Sequence, residues 1–337
     1  MDVLSDVLRV VRLTSAVFFT ARFSSPWSIE SPPPDQLART VRLRAESIAL
    51  FHVLVEGQCW VSMKEHAPLK MEACDVIIFP HGDPHVMSSH TGARPQPIST
   101  LLPPQPSEEI PQLDYGGGGE ATRFVCGFLH CDQRFNPLIG ALPTMLCVRG
   151  RDSVGRCEPS EVETAKRPGI VLVDADGWLA NTLRHTIEEA DGAHPGSSAM
   201  LARLTELLYV EVLRRYMQQF PSGQTGWLAG VKDPEVGRAL RFLHARPERP
   251  WTVEELAYEV GVSRSGLAQR FTDLTGEAPM RYLTGWRIQL AKHLILQAGL
   301  PITEVADRVG YESEAAFNRA FKRHVGEPPV TWRKKNA

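Results

Sequence analysis

The stretch Phe79–Val86, FPHGDPHV, packs two histidines, His81 and His85, into eight residues at the end of an apolar run, DVIIF. Histidines near a carboxylate commonly build a metal site, so metal chemistry is the first function to weigh. Upstream, FHVLVEG (Phe51–Gly57) carries His52 and Glu56 four residues apart, a spacing that puts both on one face of a strand. His52, Glu56 and His85 would make a two-histidine, one-carboxylate set, the kind that holds iron with open positions. Cys126, in RFVCGF, is a further candidate ligand and would favour zinc. A second reading is equally physical. Glu56-Gly57 suits a hairpin turn, PHGDP suits a bend with His81 and Asp83 in solvent, and a lone interior histidine is usually a hydrogen-bonded core group.

These residues sit among short β-rich runs. Between about Val41 and Cys147, IALFHVLVEG, QCWVSM, DVIIF and RFVCGFLHC are punctuated by Gly, Pro and Asp, as expected of antiparallel sheet or barrel strands. Gly92–Glu120 interrupts them with many prolines and GGGG at Gly116–Gly119, which predicts a mobile loop or disordered insertion. From Gly177 the periodicity becomes helical. Met200, Leu201, Leu204, Leu207, Leu208 and Leu213 form a broad apolar face, suited either to packing on the first domain or to a dimer seam. PSGQTG (Pro221–Gly226) has linker composition, and everything after it reads as helix.

Composition narrows the class. A chain of 337 residues, 43% hydrophobic and 23% charged, is long enough for two globular domains. No window approaches the roughly 18 uncharged apolar residues that a membrane span requires. The N-terminus, MDVLSDVLRVVRL, reads as an amphipathic helix, not a signal peptide. Six cysteines without CxxC spacing read as reduced thiols, and together these features predict a cytoplasmic protein. From Trp227 onward 17 Lys+Arg face 13 Asp+Glu, a net of +4, leaving −6 for the rest of a chain whose net charge is −2. The basic segment is weak evidence for a polyanion partner.

That segment contains an internal repeat. Leu256–Pro279 and Val305–Pro329 align with one extra residue in the second copy. Gly261 then matches Gly310, Ser263 matches Ser313, Leu267 matches Phe317, Phe271 matches Phe321, Gly276 matches Gly326, and Pro279 matches Pro329. Each copy reads as helix, Gly turn, Ser-capped second helix and Gly stop, which is a helix-turn-helix. In each second helix one face is apolar. The opposite face offers Ser265, Ala268, Gln269 and Thr272 in the first copy, and Ala315, Asn318, Arg319 and Lys322 in the second. Asn and Gln suit adenine, Arg suits guanine, and small residues meet the thymine methyl. The intervening helix, Met280–Gln297, is about 27 Å long, which could hold the two second helices near successive major grooves.

The segment from about Asp233 to Lys335 resembles the DNA-binding domain of the AraC/XylS family of transcriptional regulators, on the connecting PMRYLTGWRI and the closing GYESEAAFNRAFKRHVGEPPVTWR. Carried over by position, the resemblance implies base-facing Ser265, Ala268, Gln269, Glu314, Ala315, Asn318 and Arg319, and phosphate-contacting Arg264, Lys322 and Arg323. Pro80, Gly82 and His85 match part of a cupin motif, although Leu50 stands where a metal-binding cupin places a histidine. The first half therefore resembles the cupin sensor domain of one subgroup of that family.

The expected architecture is α+β and multidomain. A cupin-like jelly-roll β-barrel over residues 1–176 is followed by a helical connector at 177–220, a linker at 221–232, and an all-α domain at 233–337 with two helix-turn-helix units joined by a long helix. The expected function is a ligand-responsive, sequence-specific transcription factor, an activator by family resemblance. Its expected partners are double-stranded DNA, a small-molecule effector, RNA polymerase and a second copy of itself as a homodimer, with no membrane. The alternative is a metal-dependent cupin enzyme with an accessory DNA-binding domain, holding zinc or iron on His52, His85 and Cys126.

Overall fold

Alternating apolar residues in the first half build strands, and 3.6-residue periodicity in the second builds helices. The computed structural model describes residues 3–10, 14–34, 36, 48–102, 110–130, 137–150, 170–174, 177–192, 194–220, 224–297 and 299–336. The chain falls into a β unit, Leu13–Cys131 with Leu142–Gln219, and a helical unit, Met1–Arg12 with Asp132–Ala141 and Phe220–Ala337.

The β unit has β1 (Thr14–Ser24), β2 (Ser28–Glu30), β3 (Ile48–Glu56), β4 (Gln58–Ser62), β5 (Leu69–Glu72) and β6 (Val76–Phe79). It continues with β7 (Val86–Ser88), β8 (Gln96–Pro97), β9 (Gln112–Gly116), β10 (Ala121–His130), β11 (Met145–Arg149) and β12 (Ile170–Asp174). One sheet runs β12-β11-β6-β3-β10-β1-β9, the other β5-β4-β7-β2-β8. Residues from both sheets, among them Leu54, Met71, Ile77 and Phe79, form one core. Each sheet ends in edge strands whose outer sides have no hydrogen-bonded neighbour among the described residues. The expected barrel is thus a jelly-roll-like pair of sheets joined through side chains, without the closure by ladder hydrogen bonds that a barrel needs. The segment read as a loop, Gly92–Glu120, contributes β8 and β9. Leu113 is buried, and Tyr115 meets Phe23 edge-on at 6.0 Å, contacts that hold β9 parallel to β1. The part of that prediction covering 103–109 lies outside the described residues.

Two helices close the β unit, α3 (Gly177–Asp191) and α4 (Ser197–Gln219). Helix α4 buries Leu201, Leu208, Leu213, Val212 and Tyr216 and packs on β1, so most of its apolar face belongs to the domain core. Met200 and Leu207, each 52% exposed, lie outside that packing.

The helical unit contains α1 (Val3–Val10) and α2 (Pro137–Gly140), followed by α5 (Trp227–Lys232), α6 (Pro234–Ala245), α7 (Val253–Val260), α8 (Arg264–Thr275) and α9 (Pro279–Gln297). Its last three helices are α10 (Ile302–Arg308), α11 (Glu314–Val325) and α12 (Pro329–Asn336). The amphipathic reading of the N-terminus holds: Val3, Leu4, Val7 and Val10 are buried, and α1 packs against α6 and α9. This packing places it with the helical unit, although in sequence it precedes the strands.

The repeat folds twice in the same way. Ser263 Oγ accepts from Gly266 N at 3.1 Å at the start of α8, and Ser313 Oγ accepts from Ala316 N at 3.2 Å at the start of α11. The turns before them use Gly261 (φ +84°) and Gly310 (φ +83°), a left-handed backbone that strains other residues. At Gly310 a Cβ would also stand 2.5 Å from the Glu248 carbonyl oxygen. Leu267, Phe271, Phe317 and Phe321 are all 0% exposed, so each second helix is fixed by its apolar face. Phe321 contacts Phe317 (5.5 Å) and Trp332 (5.8 Å) between ring centroids. Phe321→Ala should cost roughly 3–5 kcal/mol and Ser313→Ala about 1 kcal/mol. Urea unfolding followed by circular dichroism checks both, and equal small losses would deny the ring its anchoring part.

Candidate functional site

A cavity lies inside the β unit, bounded by β1, β2, β3, β7 and β10. Inward positions of β3 alternate as Leu50, His52 and Leu54, and of β10 as Phe124, Cys126 and Phe128. His52 pairs with Cys126 across the two strands. The structure therefore brings His52, His85 and Cys126 together in the cavity wall, as the sequence led one to expect.

They meet as a hydrogen-bonded chain. His85 Nδ1 lies 2.9 Å from the Asp83 carbonyl oxygen, His85 Nε2 lies 2.9 Å from His52 Nε2, and His52 Nδ1 lies 2.9 Å from Cys126 Sγ. A carbonyl only accepts, so neutral His85 donates from Nδ1 and accepts at Nε2. His52 must then donate from Nε2 and accept the Cys126 S–H at Nδ1. One set of tautomers satisfies every link. Burial holds His52 well below the usual imidazole value, with His85 adding to the effect, and lowers His85 to about 4 despite its bond to Asp83. Burial also pushes the Cys126 thiol well up. The Phe79 ring stacks on His85 at 3.7 Å.

This arrangement corrects the proposed metal set. Glu56 does not share the inward face with His52. The register of β3 against β10 skips Val55, pairing Leu54 with Phe124 and then Glu56 with Arg123, and this bulge turns Glu56 outward. There its carboxylate lies 3.7 Å from Arg123. Cys126 and His85 meet opposite nitrogens of His52, so the three donors do not converge on one point. Among the described residues no group of three or more His, Cys, Asp or Glu side chains could hold a metal ion. Zinc or iron thus finds no donor set among them. His81 is half-buried, with Nε2 3.2 Å from the Leu142 carbonyl oxygen, and does not join the chain. Among the described residues, Cys59, Cys74, Cys126 and Cys147 form no disulfide.

The aromatic part of the cavity was not singled out from the sequence. Phe19 and Phe23 on β1 and Trp27 just after it line the space with Phe124 and Phe128. Trp27 is 2% exposed, and its indole N–H finds no acceptor among the described residues. VFFTARF-SSPW shows the aromatics, but only the strand pairing shows that they face His52.

In the helical unit the second helix of each repeat presents the predicted face. Arg264, Ser265 and Gln269 on α8 are exposed and Ala268 is half-exposed; on α11, Glu314, Ala315, Arg319, Lys322 and Arg323 are exposed and Asn318 is half-exposed. Gln269 Nε2 donates to Asp273 at 2.7 Å, whereas the side chains of Arg319 and Lys322 make no hydrogen bond or ion pair among the described residues. Asp233 caps α6 through Glu235 N and Val236 N and also takes Arg270 of α8 bidentately, fixing that helix. Farther inside, Trp227 Nε1 donates to Tyr282 Oη at 2.9 Å, and Tyr282 Oη lies 2.8 Å from His244 Nε2. This bridge ties α5, α6 and α9 together.

Family comparison assigns residues 2–164 and 168–218 to Cupin and residues 256–335 to Helix-turn-helix domain. An AraC-like transcription regulator of Streptomyces lividans is 42% identical over 339 residues, covering 99% of this chain and 98% of its own. The HTH-type transcriptional regulator AlkR of Acinetobacter baylyi is 24% identical over 338 residues, 100% of both chains. The RCS-specific HTH-type transcriptional activator RclR of Escherichia coli is 26% identical over 235 residues, 70% of this chain and 74% of its own. Among solved structures, the DNA-binding domain of AdpA in complex with a target DNA is 32% identical over 31% of this chain and 93% of its own, with a TM-score of 0.29. Fold and sites define a cupin domain joined to a double helix-turn-helix. The chain belongs to the AraC-like family of transcription regulators and is a DNA-binding regulator of transcription. These relatives are all regulators, which removes the support for a metal-dependent enzyme.

The neutral histidine chain carries a stability signature. In the unfolded chain an imidazole takes up its proton near pH 6.5, while the folded cavity holds His85 neutral down to about 4. Below pH 6.5 the unfolded state therefore binds more protons, and this share of stability, complete above 6.5, is lost as pH falls toward 4. Urea midpoints across that window should fall more steeply for the native chain than for His85→Asn. Parallel profiles would mean that His85 is not held neutral.

Proposed function

We propose that the chain is a cytoplasmic, ligand-responsive transcription activator that works as a homodimer and recruits RNA polymerase at its binding sites. It performs no catalysis. Residues 1–176 other than α1 and α2 form the sensor, 177–220 a connector carrying the dimer contact and 221–226 a linker, and the DNA-binding domain starts at α5, within the expected linker 221–232, and runs to 337. A small molecule enters the cavity beside His52 and Phe124. It favours one arrangement of the protein, because only a ligand that binds one state better can shift the balance. The observation that carries this reading is the duplicated exposed face: two helices, each pinned by a fully buried aromatic, offer Gln269 and Arg319 at equivalent places. Among the described residues no helix is long and apolar enough to cross a membrane.

Ser265, Ala268, Gln269, Glu314, Ala315, Asn318 and Arg319 face bases, and Arg264, Lys322 and Arg323 face phosphates. Genome-wide mapping of bound sites supplies the cognate sequence for a gel-shift test. Arg319→Ala should then cost roughly 1–3 kcal/mol and relax one base position. Lys322→Ala should weaken binding equally on all sequences and lower the salt slope by about 1. An equal loss on every sequence for Arg319→Ala would reassign that residue to the backbone.

A further inference from the structure

The cavity in the β unit states what kind of molecule it accepts. Its wall is overwhelmingly apolar: Phe19, Phe23, Phe124 and Phe128 supply rings and Met87 adds a flexible thioether. Among the described residues no Lys, Arg, Asp or Glu side chain lines it. The polar groups that line it deep inside are largely spoken for, and the half-buried Ser31 adds one hydroxyl with no side-chain partner among the described residues. Both nitrogens of His52, both of His85 and the Cys126 thiol are used in one chain of hydrogen bonds. The buried donor left over is Trp27 Nε1, in a residue 2% exposed whose ring packs 5.2 Å from Phe23 and 5.5 Å from Phe124.

These features exclude two ligand classes by energy. A sugar brings several hydroxyls, each costing free energy unless matched, and the wall has almost no unmatched partners. A carboxylate or phosphate would be buried without a countercharge, beside histidines that the fold keeps neutral. An uncharged ring-sized molecule fits instead: its apolar body replaces empty space against the aromatic wall, and one acceptor satisfies the indole N–H. We infer that the ligand is a neutral, predominantly apolar, ring-containing molecule with a single hydrogen-bond acceptor, a carbonyl or ether oxygen, directed to Trp27 Nε1. The inference rests on the reading of this cavity as the effector site and adds the chemistry of the effector.

The test uses the full-length protein and four probes: acetophenone, ethylbenzene, benzoate and L-arabinose. Apparent affinities come from concentration-dependent thermal shifts, since a ligand that binds the folded state raises its melting temperature. Acetophenone should stabilise the protein, ethylbenzene should bind about tenfold more weakly for want of the acceptor, and benzoate and arabinose should give no shift. Trp27→Phe keeps a ring and removes the donor, so it should erase the preference of acetophenone over ethylbenzene. Should that variant fail to fold, Met87→Trp, which fills the cavity and leaves the indole in place, should abolish the response to both. A shift with arabinose or benzoate as large as that with acetophenone overturns the inference. So does a ketone preference that survives Trp27→Phe, a ketone response that survives Met87→Trp, or the absence of any shift. If acetophenone binds as described while operator affinity and reporter transcription stay unchanged, the ligand class stands and the effector reading falls.

Discussion

Full burial of one aromatic face is what makes the opposite face of each second helix available. Phe271 and Phe321 leave no ring surface in water, and each of α8 and α11 begins at a serine cap and ends at a left-handed glycine, Gly276 or Gly326. A helix so bounded cannot roll without exposing its ring, which would forfeit several kcal/mol. The rotational setting of Gln269 and Arg319 is therefore decided on the far side of the helix from their proposed base contacts. The capping box at Thr252 and Glu255 and the Asp233–Arg270 pair extend the same logic to the neighbouring elements.

The β unit solves the converse problem, keeping polar groups inside without charging them. Three polar side chains in an apolar wall would each be costly alone. Linked head to tail from the Asp83 carbonyl to the Cys126 thiol, every donor and acceptor on the shared path is matched, and burial favours the neutral form of each member. The same three residue types that suggest a metal site from their spacing thus satisfy one another. What separates the outcomes is which nitrogen of His52 each neighbour meets.

Sequence legibility follows the range of the interactions. The repeat is readable because caps, glycine turns and the i, i+4 spacing of Leu267 and Phe271 are local, and the same signals occur twice. His52, His85 and Cys126 are also readable as neighbours, since each belongs to a recognisable strand or the turn beside one. Glu56 is not readable, because the bulge at Val55 is a property of the pairing with β10 and not of VLVEG itself. Trp27 escapes notice for a related reason: its importance lies in a missing acceptor, and only an assembled wall shows that. The N-terminal helix shows its apolar stripe in sequence, but the partners of that stripe, α6 and α9, lie more than two hundred residues away along the chain.

The two proposed reading helices are not equivalent in what they hold ready. On α8, Gln269 is already engaged by Asp273 and Arg270 is committed to Asp233, so a base contact by Gln269 must first give up an internal bond. On α11, Arg319 and Lys322 carry their charge into solvent with no internal partner among the described residues. Among the described residues the Asn318 side chain is held only by a long 3.5 Å contact to Glu314. Exchanging one hydrogen bond for another yields little net free energy, whereas an unpaired guanidinium meeting guanine gains a bidentate, charge-assisted contact at the expense of water alone. Discrimination between sequences should therefore weigh on the second unit. On the proposed reading the first, with its small Ser265 and Ala268, would follow the shape of the groove and set the register in which the second is read.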